Sequence, residues 1–194
     1  TILDRADAES MIHLLRKELD TGTRQRSFPR KGALANIFSK AVNKVLPVEE
    51  VVYEDYPHFL PNLESIEHLH KMYAQRKQEH HFCDFDDLLI HLRRLLDMDE
   101  NVRRSLSERY RFILVDEYQD TNSIQADIVS LLAGSEKNVM VVGDDAQSIY
   151  AFRGANFKNI ITFPERFPNT HIVKLEQNYR SLQPILDLTN ALIE

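Results

Sequence analysis

The chain has 194 residues, of which 43% are hydrophobic and 28% are charged, a composition typical of an ordinary globular protein with one or two domains. The net charge of -6 argues against nucleic-acid binding by the whole surface, although a local basic path remains compatible with it. No apolar run approaches the ~20 residues of a membrane span, and no segment resembles a signal peptide. The single cysteine, Cys83, excludes an internal disulfide, so we expect a protein of the cytoplasm with no membrane partner.

The charge is unevenly distributed along the chain. Acidic and basic side chains balance in residues 1–82, so the whole acidic excess lies in residues 83–194. Two differently composed halves favour two structural units. The first residue is threonine rather than methionine, and residues 1–4 resemble the end of a strand followed by a helix start at Asp4. We therefore expect the chain to be a piece of a longer protein.

The first unit is predicted to be all-helical. Apolar residues recur at helical spacing over residues 4–20, 33–45 and 63–79, with charged residues between them. Pro47 ends the second of these helices, and Pro57 and Pro61 bracket a turn.

A basic loop separates the first two predicted helices. Arg24, Arg26, Arg30 and Lys31 surround Phe28. Such a group could contact a phosphate backbone while the phenylalanine packs on a sugar or base. Composition alone favours the other interpretation, which is a solvated loop.

Metal-capable side chains crowd together where the two units meet: His80, His81, Cys83, Asp84 and Asp86. A zinc site needs spaced pairs that converge tetrahedrally, and no second His/Cys cluster follows. The favoured interpretation is that Asp84 caps a helix, as Asp99 does for another helix that runs through Arg109. The first of these helices has an apolar stripe formed by Phe85, Leu88, Leu89, Leu92, Leu95 and Leu96.

The periodicity changes in the second unit. Short apolar runs predict strands at residues 112–115, 139–142 and 172–175, the first of them buried on both faces. Helices are predicted over residues 123–133, with Gly134 as the C-cap, and from about Ser181 onward. Strands that alternate with helices indicate an α/β fold with an open parallel sheet.

Polar residues follow each predicted strand. Asp116-Glu117, the residues 144–147 (Asp-Asp-Ala-Gln) and the residues 177–180 (Gln-Asn-Tyr-Arg) would meet at the carboxyl edge of the sheet, where chemistry collects in such folds. An acidic pair there can hold a divalent cation and poise a water for phosphoryl transfer.

Three segments in series carry a resemblance to a known family. They are residues 115–122 (Val-Asp-Glu-Tyr-Gln-Asp-Thr-Asn), residues 142–155 (Val-Gly-Asp-Asp-Ala-Gln-Ser-Ile-Tyr-Ala-Phe-Arg-Gly-Ala) and residues 175–181 (Leu-Glu-Gln-Asn-Tyr-Arg-Ser). They resemble helicase motifs II, III and IV of the UvrD/Rep/PcrA-type superfamily-one DNA helicases. The resemblance implies a helical 1B-like subdomain over residues 1–82. It also implies a partial RecA-like ATPase core over residues 83–194.

The resemblance assigns roles to five residues. It implies that Asp116 holds Mg²⁺ together with Glu117, and that Glu117 is the base that orients the attacking water. Gln147 matches the glutamine that senses the γ-phosphate of ATP and links it to DNA. Arg180 matches the arginine that stabilises transition-state charge, and Tyr179 matches the tyrosine that stacks on adenine.

The same resemblance places the DNA contacts at Tyr150, Phe152 and Arg153. Aromatic stacking on bases contributes about 1–3 kcal/mol per base. The family often has tryptophan where this chain has Phe152 and a basic residue where it has Ala151, which puts the strength of the DNA contact in question. The interpretation that Tyr150 and Phe152 are core residues stays open.

No phosphate-binding loop of the form Gly-x-x-x-x-Gly-Lys-Ser/Thr occurs in the 194 residues. We therefore expect the chain alone neither to hydrolyse ATP nor to unwind DNA. In the parent enzyme the resemblance implies ATP and Mg²⁺ as cofactors and single-stranded and duplex DNA as partners, with repair proteins as further partners. Two alternatives are a non-catalytic module that binds single-stranded DNA or a repair partner, and a metal-dependent nuclease built on Asp116, Glu117, Asp144 and Asp145.

Overall fold

The computed structural model describes residues 1–19, 28–144, 147 and 158–193. Its α-helices, in chain order, are α1 (Arg5–Glu18), α2 (Lys31–Lys44), α3 (Val48–Asp55), α4 (Leu63–Glu79), α5 (Phe85–Met98), α6 (Glu100–Arg109), α7 (Ser123–Leu132), α8 (Lys158–Ile161), α9 (Phe163–Arg166) and α10 (Gln183–Ile193). Two short 3₁₀ helices span Pro57–Asn62 and Tyr118–Asp120. Within the described ranges, no helix is long and apolar enough to span a bilayer.

The first four helices form one hydrophobic core. Its fully buried members come from all four helices: Ile12, Leu15, Leu34, Ile37, Val51, Val52, Ile66 and Leu69. The apolar stripes predicted from the sequence are the faces that meet here, because residues three and four apart share one side of a helix. The three predicted helices of this region are confirmed as α1, α2 and α4.

Phe28 belongs to this core and not to a DNA-binding surface. Its side chain is only 6% exposed, and the Arg16 guanidinium lies 5.5 Å from the centroid of its ring. The suggested packing of Phe28 on a sugar or base is therefore wrong, because no free face remains. Arg24 and Arg26 lie outside the described residues, and Lys31 pairs with Glu9 at 3.6 Å.

Helix α3 was not predicted from the sequence. It follows Pro47 and buries Val48, Val51 and Val52 on one side. Eight residues make only about two helical turns, so the apolar pattern was too short to be recognised.

The capping aspartates are confirmed. Asp84 accepts from the backbone N–H of Asp87 at 2.9 Å, and Asp99 accepts from the backbone N–H groups of Asn101 and Val102. Lys77 donates to both Asp84 and Asp87 at 2.6 Å. Burial acts to raise the pKa of Asp84, but hydrogen bonds from Lys77 and the Asp87 backbone outweigh it and hold that pKa below its usual range.

The start of the chain pairs with the segment before α5. Ile2 and Cys83 form a parallel bridge, in which Leu3 N–H donates to Cys83 O at 2.8 Å and Cys83 N–H donates to Thr1 O at 3.0 Å. This confirms the extended start and the helix start at Asp4, whose side chain caps α1.

Strands β1 (Ile113–Val115) and β2 (Val139–Val141) form a parallel pair in which Leu114 lies opposite Met140. Their other side chains pack on a second core built around Tyr118, Phe163 and Phe167. On the opposite face Leu114 is 72% exposed and Met140 is 56% exposed. The prediction of burial on both faces is therefore wrong, since the described residues cover one face only.

The third predicted strand is not formed. Residues 171–178 have no regular structure, and Ile172, Val173 and Leu175 are exposed. A short apolar run becomes a strand only when a neighbouring backbone is present to pair with it, and no described segment does so. The helix predicted from about Ser181 is confirmed as α10 (Gln183–Ile193).

The apolar stripe predicted for α5 divides between two environments. Leu96 is fully buried against Ile124 and Ile128 of α7, in a third core. The remaining large residues of the stripe, apart from Leu89, are exposed: Phe85, Leu88, Leu92 and Leu95.

A small parallel sheet with helices around it agrees with an α/β domain. The RecA-like core and the division at residues 82/83 stay predictions. Across that predicted division, Asn122 Nδ2 donates to Asn43 Oδ1 at 2.6 Å.

Candidate active site at the ends of the two strands

The acidic pair lies where the chain leaves β1. Val142 N–H donates to Val115 O at 2.8 Å, and Tyr118 N–H donates to Val142 O at 2.9 Å. These two bonds continue the sheet ladder past Asp116 and Glu117, which bulge out of it with exposed side chains. Asp116 Oδ1 accepts from the backbone N–H of Glu117 at 3.0 Å. The pair therefore faces solvent from a backbone that is anchored on both sides.

Glu117 adopts a left-handed backbone conformation. Its φ is 50° and its ψ is 43°, a region that residues other than glycine rarely occupy. Such strain costs about 1–3 kcal/mol and persists only where the surrounding structure imposes it. Strained residues of this kind concentrate at functional sites, which makes Glu117 a stronger candidate than its sequence position alone.

A buried glutamine holds the Glu117 side chain. Gln119 is 1% exposed, and its Nε2 donates to Glu117 Oε2 at 2.7 Å. Its Oε1 accepts from the backbone N–H of Asp144 at 3.1 Å, at the end of β2. One amide thus joins the ends of the two strands.

The series continues to the predicted γ-phosphate sensor. Gln147 Nε2 donates to Asp144 Oδ2 at 2.8 Å. The structure therefore links Glu117, Gln119, Asp144 and Gln147 through consecutive hydrogen bonds and short stretches of backbone. This convergence of the first two strand ends was predicted from the sequence.

Tyr179 and Arg180 are placed differently. Tyr179 is 93% exposed, and Arg180 is exposed beside it. Asn178 Oδ1 accepts from the backbone N–H groups of Arg180 and Ser181 at 2.8 and 2.9 Å, which shapes the turn before α10. In the described part of the chain, neither side chain joins the Glu117 group through a hydrogen bond or an ion pair. The predicted DNA-contacting residues Tyr150, Phe152 and Arg153, and also Asp145, lie outside the described residues.

The donor set at the strand ends fits Mg²⁺. Asp116 and Glu117 offer carboxylate oxygens, the hard ligands that Mg²⁺ prefers, and Mg²⁺ sites commonly use one or two carboxylates together with water and substrate phosphates. Across the described residues, His, Cys, Asp and Glu side chains form no group of three that could hold a metal ion.

Two residues of this site were not singled out from the sequence. Gln119 lies within the acidic segment, and Gly143 precedes Asp144. A Cβ at position 143 would collide with Gln119 Oε1 and lie 2.7 Å from Ile160 Cδ1. The sequence does show an uncharged polar residue, Gln119, among carboxylates, and a glycine, Gly143, at the end of a predicted strand. Only the folded structure shows that these two residues lie against each other.

Known proteins resemble this chain over most of its length. Residues 1–168 match the model of the UvrD/REP helicase N-terminal domain. The chain is 37% identical over its whole length to the ATP-dependent DNA helicase PcrA of Leuconostoc citreum and 36% identical to DNA helicase II of Salmonella typhimurium, covering 25% and 26% of those proteins. It is 44% identical over 65% of its length to the ATP-dependent DNA helicase Rep of Escherichia coli K12, covering 19% of that protein.

The chain spans about a quarter of the length of the curated relatives that it matches along its whole length. The family match, together with the relatives that cover the whole chain, confirms the resemblance that the three sequence segments carried. This chain belongs to the UvrD/Rep helicase family.

Proposed function

We propose that this chain supplies the water-activating half of the ATPase site of a DNA helicase that moves 3′ to 5′ along single-stranded DNA. The observation that carries the proposal is the hydrogen-bonded series from Glu117 through Gln119 and Asp144 to Gln147, in a member of a helicase family. The names of the relatives describe ATP-dependent DNA helicases, and we extend that activity to the longer protein in which this chain would act.

Glu117 is the proposed general base. It accepts a proton from water as that water attacks the γ-phosphorus of ATP and ADP leaves. The exposure of its carboxylate and its single side-chain hydrogen bond within the described region, from Gln119, support this role. One carboxylate oxygen is held by the protein while the other stays available to water.

Asp116 and Glu117 would hold Mg²⁺. When bound, the ion neutralises charge on the phosphates. The bond from Glu117 N–H to Asp116 Oδ1 fixes the orientation of the Asp116 carboxylate before any nucleotide arrives.

Gln147, Arg180 and Tyr179 complete the proposed nucleotide contacts. Gln147 would sense the γ-phosphate, because an amide can donate to phosphate and accept from water. Arg180 would stabilise charge that develops in the transition state, and Tyr179 would stack on adenine. Tyr179 and Arg180 are exposed, so both side chains are accessible to a nucleotide. Closure of two RecA-like domains on ATP would bring these residues together.

Tyr150, Phe152 and Arg153 are the proposed contacts with single-stranded DNA. Closure would pass bases along the two aromatic rings and so move the protein along the strand. Because no phosphate-binding loop occurs in these 194 residues, the chain alone would lack the cradle for the β- and γ-phosphates.

Strand displacement tests the proposal. The full-length protein is mixed with ATP, Mg²⁺ and a duplex that carries a single-stranded tail at either its 3′ or its 5′ end. We expect unwinding of the 3′-tailed duplex only, lost in Glu117→Gln although DNA binding is retained. Binding of single-stranded DNA without ATP turnover would instead support the non-catalytic alternative and overturn the proposal.

A further inference from the structure

Gln119 is a buried amide beside exposed carboxylates. It lies on the 3₁₀ turn Tyr118–Asp120, directly after the strained Glu117. Its side chain is 1% exposed, whereas Asp116 and Glu117 face solvent. Burying an amide is unfavourable unless its polar atoms are hydrogen-bonded, so the partners of this one are informative.

Both ends of the amide are used, and for different purposes. Nε2 donates to the Glu117 carboxylate, while Oε1 accepts from the Asp144 backbone. An amide offers a donor and an acceptor at one end of the side chain, whereas a carboxylate would repel Glu117 and an apolar side chain would bond to neither partner. The bond to the carboxylate is charge-assisted and therefore among the stronger kinds of hydrogen bond.

The space for this amide is provided by Gly143. Any Cβ at that position would occupy the volume of Gln119 Oε1. The end of β2 therefore approaches the amide more closely than another residue would permit. Asp144 directly follows Gly143, and its side-chain Oδ2 accepts a hydrogen bond from Gln147 Nε2.

We infer that Gln119 is a positioning residue that sets the direction of the Glu117 carboxylate and ties it to the strand end that carries Gln147. The inference rests on the proposed function, because it assigns Gln119 a part in the same reaction. Among the described residues, the Gln119 Nε2 donor provides the side-chain hydrogen bond that the Glu117 carboxylate accepts, at 2.7 Å. A movement of Gln147 on meeting phosphate reaches the base through Asp144 and Gln119.

If Gln119 only filled space, an apolar residue of similar length would preserve the rate of hydrolysis. Gln119→Met removes both hydrogen bonds with little change in length. Gln119→Glu keeps an acceptor for Asp144 N–H, removes the donor to Glu117 and places a second negative charge beside it. Gln119→Met therefore loses both hydrogen bonds, whereas Gln119→Glu loses only the bond to Glu117 and keeps the bond from the Asp144 N–H.

The matched control is Asn159→Leu. Asn159 is another buried amide, 3% exposed, and its Nδ2 donates to Thr121 O at 2.9 Å in the same loop without contacting Glu117. This variant removes an amide that anchors the loop and leaves the bonds of Gln119 in place. It measures how much a general loss of loop stability lowers the rate.

The experiment measures kcat and KM for DNA-stimulated ATP hydrolysis, with Tm, in the full-length protein. We expect Gln119→Met and Gln119→Glu each to lower kcat by about tenfold to a hundredfold, because a misdirected base loses most of its effect. KM for ATP should stay within about twofold, since the amide does not bind the nucleotide. Asn159→Leu should lower Tm while kcat changes by less than about threefold.

The inference is overturned if Gln119→Met retains kcat within about twofold. It is also overturned if Asn159→Leu lowers kcat as much as Gln119→Met does when the two variants have the same Tm. Where Gln119→Met does not fold, Gln119→Glu decides by the same criterion. Glu117→Gln separates this inference from the proposed function. If Glu117→Gln abolishes hydrolysis while the Gln119 variants retain kcat within about twofold, the inference alone fails; if Glu117→Gln also retains activity, the proposed function fails with it.

Discussion

Asn122 and Asn43 form a buried side-chain hydrogen bond of 2.6 Å, in which Nδ2 of Asn122 donates to Oδ1 of Asn43. Asn122 caps α7, the helix that follows the acidic pair, whereas Asn43 belongs to α2 of the helical region. Asn43 Nδ2 in turn donates to Asp86 Oδ1 at 3.0 Å and to Ser39 O at 2.9 Å. This network connects the helical region with the segment that carries the candidate base.

Asn43→Leu is expected to lower the free energy of unfolding by about 2–4 kcal/mol, because it leaves buried donors and acceptors without partners. Urea denaturation of the 194-residue chain measures the change. Asn36→Leu is the matched control, since Asn36 lies exposed on the same helix and should cost less than about 1 kcal/mol. Equal losses in the two variants would show that the network contributes little.

Asp86→Asn is expected to gain stability relative to the parent chain as the pH rises. Burial raises the pKa of Asp86, with hydrogen bonds from Ser39 and Asn43 acting against it. The folded state therefore binds this proton more tightly than the unfolded state does. The stability that the protonated Asp86 carboxyl contributes is present below the ordinary carboxyl pKa, near pH ~4. It is lost as the pH rises through the pKa of Asp86 in the folded state.

Urea denaturation at about pH 4 and about pH 7 measures this difference. Asp84 and Lys77 also carry charge near Asp86, so both remain unchanged in the comparison. Asp84→Asn is expected to show the opposite sign at lower pH, because the pKa of Asp84 lies below its usual range and the stability that its carboxylate contributes is lost as the pH falls below about 4. The prediction would be contradicted if the difference in the free energy of unfolding between Asp86→Asn and the parent chain did not change with pH.

Gly143→Ala is expected to destabilise the chain by about 1–3 kcal/mol, since the new methyl group would displace Gln119 and Ile160. Gly32→Ala is the matched control and should have the opposite sign. The nearest atom to a Cβ at position 32 is Glu9 Oε1 at 3.6 Å, and the residue lies within α2. Alanine in that helix should stabilise by about 0.5–1 kcal/mol. Urea denaturation of both variants checks the pair, and a stabilising Gly143→Ala would refute the close approach.

The 194-residue chain alone is expected to self-associate as its concentration rises. Leu114 and Met140 lie opposite each other on an exposed sheet face, and exposed apolar patches of this kind promote association. Light scattering of the parent chain and of a Leu114→Lys, Met140→Lys double variant measures the effect. A Gln75→Lys, Ser105→Lys variant adds the same charge at exposed polar positions of the helices. A parent chain that stays monomeric, or a control that suppresses association equally, would argue against this face as the cause.

Sequence reasoning succeeded where the determining interactions are local. Asp84 and Asp99 were recognisable as helix caps because a cap bonds to backbone groups within three residues. It failed at residues 172–175, where strand formation depends on a neighbouring backbone that no described segment supplies. Leu114 shows the same limit, since an apolar run does not reveal how many faces of a sheet are covered.

The candidate site was predicted in part for the same reason. Asp116 and Glu117 were identified from their position after a predicted strand, and the role of Gln147 was assigned through a family resemblance. The structure connects Glu117 with Gln147. Gln119 was missed because the backbone group that it contacts, the Asp144 N–H, lies 25 residues away in sequence. The roles assigned to Tyr179 and Arg180 stay predictions.

The proposed role of Glu117 is to activate water in an ATPase site that these 194 residues would provide only in part. DNA-stimulated ATP turnover, measured in parallel for the full-length protein and for this chain, each with and without Glu117→Gln, tests it most directly. We predict that Glu117→Gln lowers turnover of the full-length protein by at least about a hundredfold. We also predict no turnover by the chain alone. Full turnover by the Glu117→Gln full-length protein would show that Glu117 is not the base. Turnover by the chain alone that Glu117→Gln abolishes would show that these residues provide a complete site.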